Sequence, residues 1–174
     1  MRSALIDAAA RMIAEKGLNR LTIDAVAKAA GVTKGGLFHH FATKDDLIQG
    51  VQNAMIDIAD ATISSAMAAD AEPHGSFTRA YLMGVMSRPA IIEDLPTHTL
   101  CLAMLADPKL QDDWFDWVGR QVDRHAATDD NPSCALVRLA ADGIWLNSLR
   151  RGGMPPPIAP EVVAALVALT HPSP

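Results

Sequence analysis

Ala, Leu, Met and Val recur along this chain at spacings of three and four, and alternating runs of β-branched residues are nearly absent. That period belongs to helices with an apolar face, so the pattern predicts an all-helical protein. The predicted helices cover 2–16, 23–29, 34–40, 44–68, 76–87, 89–94, 97–106, 108–125, 132–150 and 160–170. Proline placement agrees with three of the starts. Asp107-Pro108, Asn131-Pro132 and Ala159-Pro160 put proline where a first helical residue tolerates it, and the first two follow a good N-cap. The links at 70–75 and 151–159 are rich in Gly and Pro, and MPPPIAP from Met154 reads as a stiff connector between two helices.

Two stretches stand apart for their apolar content. In the last two helices the set Leu136, Leu139, Ala140, Gly143, Ile144, Leu146 and Leu149, followed by Val162, Val163, Leu166, Val167 and Leu169, is wider than one core-facing stripe requires. Small Ala140 and Gly143 permit close helix approach. Residues 76–125 carry Phe77, Tyr81, Met83, Met86, Met104, Trp114, Phe115 and Trp117 on short, irregularly spaced helices. A plain core explains most of them, and an apolar pocket lined by Met83, His98, Met104 and Trp117 is the alternative.

Charge changes the picture more than composition does. Residues 1–50 hold seven Lys/Arg against five Asp/Glu, a balance of +2, whereas residues 51–174 hold eight against fifteen, a balance of -7. Such asymmetry points to a polyanion-binding head on an acidic body. Cys101 and Cys134 lack the C-x-x-C spacing and lie in apolar surroundings, which favours free thiols in a reducing cytoplasm. The longest apolar runs are short and broken by charge, so no membrane span is expected. His98 and Cys101, three apart, fit packing better than metal coordination, and His39-His40 diverge around a helix without a third ligand nearby. No nucleophile elbow, Walker loop or dinucleotide fingerprint is present, so neither enzymatic chemistry nor a cofactor is expected.

The head itself is legible in its capping. Thr22 can cap one short helix, with Leu21 before it and Val26 inside; Thr33 can cap the next, with Val32 before it and Leu37 inside. Both are hydrophobic staples around a threonine N-cap. Between them Gly31 can take the left-handed conformation that ends one helix and turns the chain sharply into the next. This is a helix-turn-helix. The second helix of such a unit enters the major groove by its first residues, here Thr33, Lys34, Gly35 and Gly36. Each glycine costs about 1 kcal/mol in helix propensity against alanine, and in return lets backbone approach phosphates or base edges. Leu37 and Phe41 face the core while His39 and His40 point to other sides. The next helix opens Thr43-Lys44-Asp45-Asp46, close to a capping box, and Lys44 in its first turn opposes the helix dipole, which a phosphate partner would explain.

The stretch LTIDAVAKAAGVTKGGLFHHFATKDDLI resembles the amino-terminal DNA-binding domain of the TetR family of transcriptional regulators, over residues 2–50. The resemblance implies a three-helix DNA-binding head over residues 1–47 and an all-helical ligand-binding and dimerisation body over 48–174. It implies phosphate contacts from Thr22, His40 and Lys44, and base or backbone contacts from Thr33, Lys34, Gly35, Gly36 and His39. Phe38 stands where the family usually has a tyrosine whose hydroxyl reaches a phosphate, and Gly36 where a small hydroxylated residue or alanine is frequent. Further implications are a homodimer built on the last two helices, with Leu136, Leu139, Ala140, Gly143, Val163, Leu166 and Val167 at the interface, and a palindromic double-stranded operator released by a small apolar or aromatic inducer. The expected protein is a cytoplasmic repressor. The rival expectation is a small helical metabolite-binding protein or enzyme that ignores DNA.

Overall fold

A computed structural model describes residues 1–87, 97–149 and 151–172. Its helices are α1 (Arg2–Lys16), α2 (Ile23–Ala29), α3 (Lys34–Phe38), α4 (Lys44–Ala69), α5 (Ser76–Met86), α6 (Thr97–Leu105), α7 (Pro108–Arg124), α8 (Ala126–Asp129), α9 (Pro132–Leu149) and α10 (Pro160–Ala168), with a 3-10 turn at Leu18–Arg20. No strand occurs among the described residues. The helix expected over 89–94 lies outside them. α3 stops at Phe38 instead of residue 40, because the His40 N–H steps back only three residues, to Leu37 O at 2.9 Å, and tightens the last turn. The four-residue α8 is not foreshadowed by the apolar pattern.

Chain contacts form two compact units, one of residues 1–57 and 90–113 and the other of residues 58–89 and 114–174. In the first, Leu5, Ile6, Ala9, Met12 and Ile13 form the buried stripe of α1, spaced as a helix face requires. Leu21, Val26, Leu37, Phe41, Leu47 and Val51 complete one core with Leu100, Met104 and Leu110. α6 lies against α1. α6, distant in sequence, shares the core built by α1 to α4. Gln52 Nε2 donates to Leu110 O at 3.1 Å, and Gln49 Nε2 to Asp113 Oδ2 at 2.7 Å, which ties the first half of α4 to the start of α7.

The second unit is centred on α5 and α9. Phe77, Tyr81 and Leu82 are buried on α5, while Cys134, Val137, Ala141, Ile144 and Leu149 are buried on α9. Its polar interior is satisfied throughout: among the described residues no buried side-chain nitrogen or oxygen lacks a partner. Arg79 Nε donates to Asp70 Oδ2 at 2.8 Å, and its terminal nitrogens donate to His74 O, Glu72 O, Thr170 O and Thr170 Oγ1. One guanidinium thus clamps the 70–74 link and the end of α10. Gly75 has φ 71°, and a Cβ there would lie 2.1 Å from Thr170 O, so this turn requires glycine twice over. Fully buried Asp129 accepts from Thr78 N at 2.8 Å, supplying from α8 a cap that the first turn of α5 lacks locally. Tyr81 OH donates to Asp142 Oδ1 at 2.6 Å; burial raises both groups from their ordinary values, Tyr81 further through the nearby carboxylate.

Candidate nucleic-acid interface

Each threonine proposed as a cap acts as one. Thr22 Oγ1 accepts from Ala25 N at 3.3 Å, Thr33 Oγ1 from Gly36 N at 3.1 Å, and Thr43 Oγ1 from Asp46 N at 3.0 Å. Asp46 Oδ2 returns the bond by accepting from Thr43 N at 2.9 Å, a reciprocal box made with aspartate. Capping uses an oxygen lone pair of each threonine, so the hydroxyl proton stays available to a phosphate. Between α2 and α3 the chain closes as a Schellman turn: Val32 N donates to Ala27 O at 2.9 Å, Gly31 N donates to Lys28 O at 3.2 Å, and Gly31 has φ 68°. The anchors Leu21, Val26 and Leu37 are all buried, which fixes the entry of both short helices into the core.

The residues left outside this scaffold are the ones with contact chemistry. Thr22, Thr33, Lys34, Gly35, Phe38 and His39 are exposed, and Gly36, His40 and Lys44 are half-buried. The rings of His39 and His40 meet edge to face, with centroids 5.5 Å apart. The two glycines differ. A Cβ on Gly36 would stand 3.3 Å from the capping Thr33 Oγ1, whereas a Cβ on Gly35 would meet nothing nearer than 4.0 Å. A side chain at Gly36 would crowd the capping hydroxyl, whereas among the described residues nothing crowds one at Gly35.

Phe41 seats this assembly from below, and sequence reasoning missed how. It is buried, Arg2 lies over its ring at 5.1 Å from the guanidinium carbon, and a Cβ on Gly50 would sit 2.6 Å from its ring. Gly50 is therefore a packing glycine that lets α4 close over the ring. A second missed residue is Asp24, whose Oδ1 and Oδ2 lie 3.0 and 3.2 Å from Lys34 Nζ. The pair spans ten residues across a turn, so the three- and four-residue spacing of a helix face does not reveal it.

Family comparison agrees with this geometry. The model of the tetR family of bacterial regulatory proteins matches residues 5–51, and that of the tetracyclin repressor-like C-terminal domain matches residues 75–171, more than half of the chain. The chain belongs to the TetR family. The transcriptional repressor KstR2 of Mycobacterium tuberculosis is 38% identical over 56 residues, 32% of this chain and 28% of the relative. The chain therefore matches little more than a quarter of that relative's length. A TetR-family structure from Streptomyces coelicolor superposes with TM-score 0.71 at 26% identity, covering 97% of each chain. The multidrug binding protein EbrR, solved with imidazole, superposes with TM-score 0.68 at 26% identity, covering 99% of this chain and 90% of that one.

In this TetR-family chain α9 has two apolar faces. Val137, Ala141 and Ile144 lie inward, in the helix that packs on α5, whereas Leu136, Leu139 and Leu146 are 55%, 69% and 56% exposed. Ala140 is half-buried, and Gly143 is exposed, with nothing among the described residues beyond the local helix backbone within 4 Å of an added Cβ. α10 has no buried residue: Val163, Leu166 and Val167 are half-buried, Val162 and Leu169 exposed. The four pocket candidates are not equivalent. Met104 is buried in the core of the first unit, Met83 is exposed on α5, and Trp117 is buried in the second unit with its Nε1 donating to Asp60 Oδ1 at 3.3 Å. His98 belongs to α6, but its side chain is outside the described set. Trp114 packs on Trp117 at 4.9 Å between ring centroids. Burial pushes the Cys101 thiol up to about 12, which leaves it protonated and unreactive at neutral pH. Among the described residues no group of His, Cys, Asp and Glu could hold a metal, and no helix is long and apolar enough to cross a membrane.

Proposed function

We propose that the protein is a cytoplasmic, homodimeric transcriptional repressor that grips a palindromic duplex operator and releases it when a small apolar or aromatic ligand binds its body. The observation that carries this reading is the capped, Schellman-closed turn that leaves Thr33, Lys34, Gly35 and His39 exposed on and beside a five-residue helix. A five-residue helix contributes little stability of its own. Its use lies in what its amino end touches. Lys44 supplies charge to phosphates, Thr22 and His40 hydrogen-bond to them, and Thr33, Lys34, His39 and the bare backbone at Gly35 and Gly36 reach the groove. Phe38, without a hydroxyl, contributes apolar contact only.

The second apolar face of α9, with Val163, Leu166 and Val167 of α10, supports assembly with a second copy, which would place two heads on successive major grooves. Trp117 and Met83, both in the second unit, are the body residues we assign to the ligand site, while Met104 packs in the core of the first unit. Selection of bound fragments from genomic DNA, followed by salt-titrated binding to the enriched sequence, tests the reading. It predicts a palindromic site and a steep loss of affinity with salt. Recovery of no enriched sequence, with binding to duplex indifferent to salt, would make the chain a metabolite-binding protein instead.

A further inference from the structure

Lys34 opens α3 directly after its cap, the position in a helix-turn-helix that enters the groove first, yet its ammonium is already engaged by both oxygens of Asp24 at 3.0 and 3.2 Å. The two side chains are 55% and 73% exposed, so the pair adds little to folding, because water competes for both charges. Asp24 also lies in the first turn of α2, where the helix dipole favours an anion whether or not a lysine is near. Against a polyanion the arrangement is costly in two ways. It neutralises one cation of the interface and presents a carboxylate toward phosphates. A head built only for affinity would omit it.

What the carboxylate supplies is control over a flexible cation. A lysine on a four-carbon stem reaches phosphates of any sequence equally well, and such contacts strengthen random duplex binding without distinguishing the operator. Held by two oxygens, the ammonium keeps a third N–H donor pointing away from the carboxylate, suited to a single acceptor on a base edge such as guanine O6 or N7. Resting on the DNA-binding reading above, we propose that Asp24 is a specificity-determining residue, which restrains Lys34 from sequence-blind phosphate contacts and aims it at a base edge of the operator.

The test compares binding of the full-length dimer to the selected operator and to a random duplex over a range of salt concentrations. With Asp24→Asn the freed Lys34 joins the phosphate contacts, so the log-log salt slope on random duplex steepens by about 0.9 per subunit. The ratio of operator to random affinity falls by about tenfold, the scale of one lost base contact. Asp24→Glu, which keeps the charge one methylene further out, restores most of that ratio. In a Lys34→Met background Asp24→Asn changes neither quantity. An equal gain in both backgrounds would reduce Asp24 to a general repulsive charge, and an unchanged ratio in the wild-type background would reduce it to a helix-end anion; either overturns the inference while operator binding stands. Failure of the wild-type protein to bind any duplex overturns the DNA reading and this inference with it.

Discussion

Lys44 occupies the first position of α4, where the dipole disfavours a cation by a few tenths of a kcal/mol, and among the described residues no carboxylate pairs with it. In the DNA reading that small cost is offset by one released counterion per contact. Lys44→Ala should therefore weaken binding to all duplexes alike and lower the magnitude of the salt slope by about 1 per subunit, or about 2 in a dimer. A slope that stays the same in a variant with native circular dichroism would remove Lys44 from the interface. His39 makes the opposite prediction because it stands exposed at the end of α3, next to its last residue. Its substitution should alter preference at one operator position in each half-site by about 1 to 3 kcal/mol, measured on operators carrying single base changes. The caps and the turn beside them were legible in the sequence because they involve neighbours three to five residues apart. Asp24 was not, since its partner lies across the turn.

Among the elements, the junction of α5, α10 and the 70–75 link rests on Arg79. Arg79→Met would leave Glu72, His74 and Thr170 carbonyls without a donor and Asp70 without its cation, a loss of about 3 kcal/mol in denaturant unfolding. The same pair sets a pH dependence. The Arg79 guanidinium and the Glu72 N–H hold the Asp70 carboxyl below the ordinary aspartate value, so the folded state binds its proton less readily than the unfolded chain. Its stabilisation is complete above the ordinary value and disappears as pH falls through the lowered one. Asp142 works in the opposite direction, because burial raises it: acidification to its raised value relieves the desolvation of its charge. The thermal midpoint of Asp70→Asn should consequently fall less than that of the wild type as pH drops below about 4. Parallel curves would place the acid sensitivity in other carboxylates.

In the proposed dimer the exposed face of α9 is the decisive surface. Gly143 lies within it, and among the described residues nothing beyond the local helix backbone stands within 4 Å of an added Cβ, so Gly143→Arg is accommodated at its first carbon. The variant should keep its helicity, sediment as a monomer and lose operator affinity, because two heads spaced by one helical turn, about 34 to 36 Å, are no longer joined. If it still sediments as a dimer, the interface lies elsewhere. In the proposed mechanism the same requirement for fixed spacing sets the energetics of induction. A ligand that lowers operator affinity a hundredfold needs about 2.7 kcal/mol of preference for the body shape with the wrong spacing, and by reciprocity the operator must weaken ligand binding by the same factor.

Helix content, the three threonine caps, the Gly31 turn and the breadth of the α9 face were readable in the chain because helical periodicity and capping are local, involving residues a few positions apart. The membership of α6 in the head's core, the clamp by Arg79, the Asp129 cap over 51 residues and the fit of Gly50 beneath Phe41 all depend on surfaces that meet after folding. Apolar composition marks a residue as needing burial but does not say against what. Met104 illustrates this: its thioether suits a ligand pocket and a core equally, and its place in the first unit's core follows from the packing of α6 on α1. Leu139 is the converse, since the same apolar pattern that buries Ala141 leaves it facing outward, a distinction made by which side of α9 meets α5.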